Sequence, residues 1–339
     1  MSKIIEAENL RKTFPNGVVA VDHVSFDVEE GEIFGFLGPN GAGKSTTIAM
    51  LTTLMAPSGG TARVAGADIR RKPNVVRHAI GYVSQDLAVD DNLTGYSNLR
   101  LQAGFYHVPG HEAMRRINEL LNMVELRDRA KDLVETYSGG MRKRLDIACG
   151  LIHRPRLLFL DEPTLGLDIQ TRREIWRYIN QLRNEVKMTI FLTTHYMDEA
   201  DALCDRIAII DHGQIKALDT PSALKSTLGG DVVEFKFNTG SADAISSAVE
   251  SVRRQDFVSE IQTEEDEQGY VAVVTNGEAA IPGIFDALAG QNVRIGTITL
   301  KRPSLDDVFL HYTGRELRDD SGSQDAAMRA RMTMRRTRG

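Results

Sequence analysis

Residues 38–45 of this 339-residue chain read GPNGAGKS and fit the pattern GxxxxGK[ST]. They follow a continuous apolar run at 32–37 and precede a helical pattern at 44–54. Glycines let backbone N–H groups approach phosphate oxygens closely, and the positive end of the following helix points at those oxygens. The pattern therefore predicts a buried parallel strand, a phosphate-binding loop and a helix, which indicates an α/β protein.

Two side chains at the end of this loop are predicted to act on the bound nucleotide. Lys44 would reach the β- and γ-phosphates, and Ser45 would bind Mg²⁺. The predicted nucleotide-binding set is the loop with the residues that follow it: Gly38, Pro39, Asn40, Gly41, Ala42, Gly43, Lys44, Ser45 and Thr46. This motif alone does not separate a transporter ATPase from a kinase, a GTPase or a helicase.

A second apolar run, residues 157–160, ends in two acids. A buried strand that delivers a carboxylate at its carboxyl end is how phosphate-loop enzymes hold Mg²⁺, and Asp161 fits that role. Glu162 is then placed to act as the general base on the attacking water. From residue 156 onward, strand-sized apolar runs alternate with helical segments, as βα units on a parallel sheet do.

A third motif, YSGGM at 137–141, precedes an amphipathic helix at 142–152. A serine and two glycines at a helix start form another anion-binding end, with N–H groups and a hydroxyl that point outward. One ATP does not need two such ends from one subunit. We therefore expect Ser138 and Gly140 to bind the γ-phosphate of ATP held by a second copy, which predicts a homodimer.

The order and spacing of the motifs resemble those of the ATP-binding cassette (ABC) ATPases over about residues 4–225. The matching segments are residues 38–45, Gln85, 137–141, 160–163, 165–168 and His195. The resemblance implies a phosphate-loop α/β cassette with a helical insertion, and ATP hydrolysis with Mg²⁺ that is coupled to transport. In this family, the signature at 137–141 commonly reads LSGGQ, and the substitutions here leave Ser138 and Gly140 intact.

The resemblance also implies roles for single residues. Gln85 looks like the glutamine that couples Mg²⁺ and the attacking water to the transporter, and His195 looks like the histidine that contacts the γ-phosphate. Asp168 looks like the aspartate that links the two sites across the dimer, and Phe14 looks like the aromatic residue that stacks on adenine. The implied catalytic residues are Lys44, Gln85, Glu162 and His195. The implied metal ligands are Ser45, Gln85 and Asp161, and Ser138, Gly139, Gly140 and Asp168 join the nucleotide-binding set.

Two further segments resemble the daunorubicin-resistance type of exporter ATPase. These are the YSGGM form of the signature and the ending RPSLDDVFLHYTGREL at 302–317. In that group a small C-terminal domain follows the cassette. The resemblance implies export of drugs, antibiotics or lipid-linked material, without naming the cargo. At one position, Ser97, this chain carries serine where relatives usually have glutamate.

The chain is predicted to form two domains and a tail. The ABC ATPase domain covers 1–228 and contains a helical subdomain at 86–136. A βαββα pattern follows Gly229 and Gly230 and predicts a small α+β domain at 229–316. Residues 317–339 are polar, and their last twelve hold five arginines and no acid, so we expect this tail to be disordered.

Composition limits the partners of the protein. No apolar run approaches the ~18–20 residues that a membrane-spanning helix needs. We therefore expect a separate transmembrane permease, with this chain peripheral on the cytoplasmic side of the cell membrane. The formal net charge of −6 argues against non-specific nucleic-acid binding. Cys149 and Cys204 lack metal-type spacing and are predicted to be reduced core thiols.

Other functions lack the features that they need. DNA-repair and chromosome-structure ABC ATPases carry long coiled coils, and no heptad pattern is sustained here. A GTPase would need an NKxD-type motif, and a small-molecule kinase would have no use for residues 138–140. A binding-only cassette is disfavoured because Lys44, Asp161, Glu162 and His195 are all present. Within transport, import stays the alternative to export.

Overall fold

The computed structural model describes residues 2–263, 269–291 and 293–314. The tail predicted at 317–339 lies outside the described residues. The strands are β1 (Lys3–Thr13), β2 (Val19–Glu29), β3 (Ile33–Leu37), β4 (Gly59–Val64), β5 (Ala67–Asp68), β6 (Ile80–Val83), β7 (Leu157–Asp161), β8 (Thr189–Thr194), β9 (Arg206–Asp211), β10 (Gln214–Asp219), β11 (Asp231–Thr239), β12 (Val258–Thr263), β13 (Gly269–Val274) and β14 (Arg294–Lys301).

The helices alternate with these strands over most of the chain. They are α1 (Lys44–Leu51), α2 (Pro73–Ala79), α3 (Gly95–Phe105), α4 (Gly110–Met123), α5 (Gly139–Gly150), α6 (Ile169–Val186), α7 (Met197–Leu203), α8 (Pro221–Ser226), α9 (Ala242–Arg253), α10 (Gly277–Leu288) and α11 (Leu305–Thr313). Two single-turn 3₁₀ helices, Arg127–Arg129 and Val134–Thr136, precede α5.

The central sheet has the strand order β10-β9-β3-β8-β7-β6. Its strands from β9 to β6 run parallel, and β10 returns antiparallel to β9. Every residue of β3, β7 and β8 is buried, as expected for parallel strands with both faces covered. Because parallel strands end at the same edge, the loops after β3, β6, β7 and β8 meet there, and these loops carry the predicted catalytic residues.

A second, antiparallel sheet in the order β2-β1-β4-β5 packs on one face of the central sheet. The contact is aromatic: the ring centroids of Phe26, Phe34, Phe36, Phe159 and Phe191 lie 5.3–6.0 Å from their neighbours. Such ring pairs add to the free energy gained by burial. This packing fixes the turn between β1 and β2, which carries Phe14, relative to the phosphate loop after β3.

The other face of the central sheet is covered by helices, including those inserted between β6 and α5. Apolar residues of α3, α4, α5 and α6 share one buried cluster with β7 and β8. Helices α3 and α4 lie within the segment that the sequence predicts as a helical subdomain, 86–136. Among the described residues, no helix has the length and apolar character that spanning a bilayer requires.

The C-terminal sheet is antiparallel in the order β12-β13-β11-β14, with α9 and α10 packed on one face. The order is that of a βαββαβ split unit. The sequence predicted only βαββα. It missed β14 because Gly296 interrupts an otherwise alternating run, and glycine weakens a strand pattern.

Helix α11 does not stay with the C-terminal sheet. Its buried side chains Leu305, Val308 and Phe309 belong to the same apolar cluster as Leu203 and Ile207 of the cassette. Helix α11 therefore packs against α7 and α8 and ties the segment that follows β14 to the ATPase core. The domain division at residues 228 and 229 remains a prediction from the sequence.

Candidate nucleotide site

The loop at 38–43 joins β3 to α1 and requires glycine at both ends. A Cβ atom on Gly38 would lie 2.2 Å from the carbonyl oxygen of Ile210, and one on Gly43 would lie 2.4 Å from that of Ala20. Gly43 also has a φ of 106°, in the region that favours glycine. The loop is thus packed against backbone at both ends, and α1 follows it directly after Gly43.

Lys44 lies at the mouth of this loop and is 4% exposed. Its Nζ donates hydrogen bonds to the carbonyl oxygens of Gly38, at 2.7 Å, and Pro39, at 3.2 Å. The same ammonium lies 3.0 Å from Oε1 of Glu162. A buried cation that is held by carbonyls and one carboxylate can exchange the carboxylate for a phosphate with little movement.

Two of the three predicted metal ligands are in contact. Ser45 Oγ donates to Asp161 Oδ1 at 3.3 Å, and Thr193 Oγ1 donates to the same oxygen. A hydroxyl beside a carboxylate at the end of a strand is a donor set that suits Mg²⁺, which prefers oxygen ligands. Gln85 is exposed in the loop after β6. Because Val83, the last residue of β6, pairs with Leu160, the loop that carries Gln85 begins beside Asp161.

Glu162 follows β7 with a φ of 47°, a left-handed conformation that is costly for a non-glycine residue. Its N–H donates to the carbonyl and the hydroxyl oxygen of Thr193, both at 3.1 Å. Its carboxylate bridges Lys44, through Oε1, and His195, whose Nδ1 lies 3.1 Å from Oε2. Burial alone would raise the pKa of Glu162, but the hydrogen bond with His195 and the charge of Lys44 hold that pKa below its usual value. The carboxylate is therefore ionised at neutral pH and able to accept a proton.

The signature residues lie apart from this group. Ser138 is exposed and caps α5, accepting a hydrogen bond from the N–H of Met141 at 3.3 Å, and Gly139 beside it is also exposed. Over the part of the chain that the structure describes, no hydrogen bond or ion pair joins Ser138 to the phosphate loop. The anion-binding start of α5 is therefore exposed, and Ser138 takes no part in the contacts that join Lys44, Glu162 and His195.

Asp168 lies at the start of α6, and Phe14 lies in the turn between β1 and β2. Asp168 is exposed and caps α6, accepting from the N–H and hydroxyl of Thr171 at 3.0 and 2.6 Å, and these bonds lower its pKa. Leu165 and Ile169 beside it are 38% and 70% exposed. The ring of Phe14 is half-buried, with the Lys12 ammonium 5.6 Å from its centre.

Two family models match the chain. The model of the ABC transporter family matches residues 21–165, and the model of the C-terminal domain of DrrA1-3-like ATP-binding proteins matches residues 220–313. The linearmycin resistance ATP-binding protein LnrL of Bacillus subtilis is 37% identical over 93% of this chain and 100% of its own length. The daunorubicin/doxorubicin resistance ATP-binding protein DrrA of Streptomyces peucetius is 40% identical over 96% of this chain and 97% of its own length.

The chain belongs to the ABC transporter ATP-binding proteins. It is a nucleotide-binding ATPase subunit of an ABC transporter. Solved structures agree with this fold: cbiO1 of Clostridium perfringens, part of an ABC transporter complex, has a TM-score of 0.62 at 27% identity, covering 66% of this chain and 91% of that one. A dimeric ATP-binding cassette in a post-hydrolysis state with ADP and phosphate has a TM-score of 0.58 at 27% identity, covering 64% and 98%. The fold class predicted from the sequence is thereby confirmed.

Some residues of this ABC site were missed by the sequence reasoning. Thr193 bonds both Asp161 and Glu162, and its only signal is its position near the end of β8, where it pairs with Asp161 across the parallel ladder. Glu199 on α7 is fully buried and accepts hydrogen bonds from Thr164 and Trp176, each at 2.8 Å. Burial raises the pKa of Glu199. The helix after His195 is thus anchored to the segment after Glu162.

Tyr137, the first residue of the YSGGM signature, packs against Gly95, which is distant in the sequence. The hydroxyl of Tyr137 donates to the carbonyl oxygen of Arg129 at 2.6 Å, and a Cβ atom on Gly95 would lie 2.5 Å from that hydroxyl. The leucine that is common in other ABC signatures has no hydroxyl. The tyrosine therefore fits only because α3 begins with glycine.

Gly95→Ala should lower the free energy of unfolding by about 1–3 kcal/mol, because it overpacks the buried Tyr137. Adding Tyr137→Phe should recover part of that loss, because the nearest remaining ring atom is 3.4 Å from the new Cβ. Gly104→Ala is the control on the same helix: no atom lies within 4 Å, so we expect unchanged or higher stability. Urea denaturation of the wild type, the two single variants Gly95→Ala and Tyr137→Phe, their double variant and the Gly104→Ala control measures the coupling, and additive effects of the two substitutions would contradict it.

Proposed function

We propose that two copies of this chain close around two molecules of ATP with Mg²⁺ on the cytoplasmic side of a membrane. Hydrolysis then removes the phosphate that bridges the copies, so the dimer reopens and drives export through the permease. The observation that carries this proposal is the split of the anion-binding groups. Lys44, Glu162 and His195 converge on one place, whereas the helix start at Ser138 is exposed and takes no part in their contacts.

The exposed surface around the signature supports a second copy. Leu165 and Ile169 present apolar side chains to solvent beside Asp168. Exposed apolar residues beside a small-residue helix start are typical of a protein–protein contact. One of the solved neighbours described above is a dimeric cassette with ADP and phosphate. A homodimer that shares its ATP sites explains both the exposed signature and the incomplete phosphate site of each chain.

The ion pair of Lys44 with Glu162 defines the order of events in this mechanism. Before ATP binds, the ammonium neutralises the carboxylate that is needed as a base. The terminal phosphate carries more charge than the carboxylate, so it draws Lys44 away and leaves Glu162 free to accept a proton from water. His195 stays within hydrogen-bond distance of Glu162 and can hold the base and contact the terminal phosphate.

Magnesium would be held by oxygen donors that the chain already brings together. These are the hydroxyl of Ser45 and the carboxylate of Asp161, with Gln85 on the neighbouring loop. When bound, the ion would neutralise charge on the transferred phosphoryl group. Thr193 orients Asp161 by donating to the oxygen that also accepts from Ser45. These side chains offer oxygen atoms, which are the ligands that Mg²⁺ prefers.

For the cargo we propose an antibiotic or a lipid-like amphipathic molecule. The relatives described above are named for linearmycin and for daunorubicin and doxorubicin, and each aligns over more than nine-tenths of this chain. The alignment includes the C-terminal domain, which matches a model of its own. Import would remain possible if a neighbouring gene encoded a separate binding protein rather than a permease with about six spans.

The test is transport by the reconstituted pair. The chain is purified with the permease encoded beside it and placed in vesicles with the ATPase side outward. We expect anthracycline uptake that requires ATP and Mg²⁺ and a rise in ATP hydrolysis when cargo is added. Chelation of divalent ions should abolish both. Hydrolysis that the permease and every amphipathic cargo leave unchanged would overturn the proposal.

A further inference from the structure

Two charged residues of the signature helix are buried where the nucleotide chemistry has no use for them. Lys143 and Asp146 lie one turn apart on α5 and are 4% and 3% exposed. Lys143 Nζ lies 3.8 Å from Asp146 Oδ2, so the two form an ion pair inside the protein. Charged residues of this kind are rarely so deeply buried unless each has a partner.

Both residues also bond the loop that carries Gln85. Lys143 Nζ donates to the carbonyl oxygen of Ser84 at 2.9 Å, and Asp146 Oδ1 accepts from the N–H of Ala88 at 3.4 Å. The two contacts bracket Gln85, one residue before it and three residues after it. The pair therefore holds the loop at two points, and Gln85 is one of the three exposed residues between them.

Stability alone does not account for this pair. Burial raises the pKa of Asp146 to about 6 and lowers the pKa of Lys143, so burial opposes the charge on each of them. Replacing a buried ion pair by apolar residues of similar volume is often neutral or stabilising, whereas removing one partner is strongly destabilising. A buried pair that adds little stability can still fix one arrangement of the elements that it joins.

The elements joined here serve two different ATP molecules, if the proposed dimer is right. The Gln85 loop lies beside Asp161 of its own site, and the start of α5 at Ser138 serves the site of the other copy. Lys143 is five residues from Ser138 along a continuous helix, which is a rise of about 7.5 Å. A helix of that length moves as a rigid body.

We propose that Lys143 and Asp146 are positioning residues that clasp the signature helix to the Gln85 loop, so that each ATP site is mechanically connected to the other. This clasp rests on the proposed function. A displacement of Gln85 on ATP binding is carried by the two loop bonds to α5, and α5 moves Ser138 toward the phosphate in the partner's site. Arg142 on the same helix forms an ion pair with Asp91 at 3.1 Å, which contributes less because both side chains are partly exposed and solvent screens them.

Two double variants test the clasp. Lys143→Met with Asp146→Leu removes the pair and both loop bonds. Lys143→Glu with Asp146→Lys keeps an ion pair but loses both loop bonds, because a carboxylate cannot donate to Ser84 and an ammonium cannot accept from Ala88. Arg142→Gln is the control on the adjacent, partly exposed pair. Either double variant alone can test the proposal, so the test stands if the other is too unstable to purify.

We expect both double variants to bind nucleotide with the wild-type Kd, because the phosphate loop is untouched. Their turnover should fall about tenfold, which is within the range seen when supporting residues are lost. Hydrogen exchange of the peptide at 84–90 should become about tenfold faster, reporting the released loop. Arg142→Gln should stay within about twofold of wild type in both measurements, because solvent screens this partly exposed pair.

The same variants in a Glu162→Gln background distinguish a failure of the clasp from a failure of the proposed dimer. Glu162→Gln alone should form an ATP-dependent dimer, and its failure to do so would overturn the proposed function, whatever the clasp does. If Glu162→Gln forms this dimer, the clasp variants in the same background should need about tenfold more ATP to dimerise. Dimer formation at unchanged ATP, together with wild-type turnover and loop exchange, would overturn the clasp and leave the proposed function standing.

Discussion

Glu162→Gln should slow ATP turnover by about 10²- to 10⁴-fold, the range that general-base catalysis contributes. ATP binding should be kept, and the protein should accumulate as an ATP-bound dimer. The amide removes the proton acceptor but keeps the shape of the side chain. Its oxygen can still accept from Lys44, and its NH₂ group can donate to the His195 nitrogen that now lies 3.1 Å from the carboxylate. The effect therefore falls on chemistry and not on folding.

The measurement is turnover at saturating ATP, paired with the molar mass of the protein with and without ATP. Glu119→Gln provides the control, because Glu119 is an exposed carboxylate on α4 far along the chain from the site. We expect that control to turn ATP over at the wild-type rate. Its dimer should dissociate once the ATP is hydrolysed. A Glu162→Gln protein that hydrolyses ATP at the wild-type rate would remove Glu162 from the role of base.

The phosphate half of the site could be predicted because its signals are local. The loop before Lys44 and the acids after β7 each depend on a few adjacent residues whose chemistry is strict. The contacts that organise these groups are not local. Thr193 meets Asp161 from a strand 32 residues away, and Lys143 meets Ser84 across 59 residues. Only the fold brings such pairs together, so a single sequence carries no pattern for them.

The packing of α11 could not be predicted from the sequence for the same reason. Helix α11 is amphipathic in the structure, and such a pattern does not say which apolar surface covers Phe309. The structure packs that side chain with Leu203 of the cassette. Amphipathic patterns identify the face that is buried but not the partner that buries it.

A heterodimer of two inactive chains should recover ATPase activity. One chain carries Glu162→Gln and the other carries Ser138→Asp, and each homodimer alone has both sites damaged. In the mixed dimer, one site combines both defects. The other site combines the intact phosphate half of the Ser138→Asp chain with the intact signature of the Glu162→Gln chain. If the two sites turn over independently, the purified heterodimer should reach about half of the wild-type rate.

Aspartate is chosen at 138 because it preserves the fold while opposing the ligand. Ser138 caps α5, and aspartate is as good an N-cap as serine, so the helix keeps its first hydrogen bond. The added negative charge lies at the helix start that must accept the terminal phosphate, and repulsion should lower homodimer turnover by about 100-fold or more, as the loss of one oxyanion-type donor does. Ser138→Asn, which also caps but carries no charge, should lose much less.

Separate affinity tags on the two chains allow the heterodimer to be isolated away from both homodimers before its turnover is measured. Recovery depends only on which chain supplies each half of the site. If each ATP were bound and hydrolysed within a single chain, both chains of the heterodimer would keep their own defect. The rate would then equal the mean of the two homodimers, and the assignment of Ser138 to the partner's phosphate would be wrong.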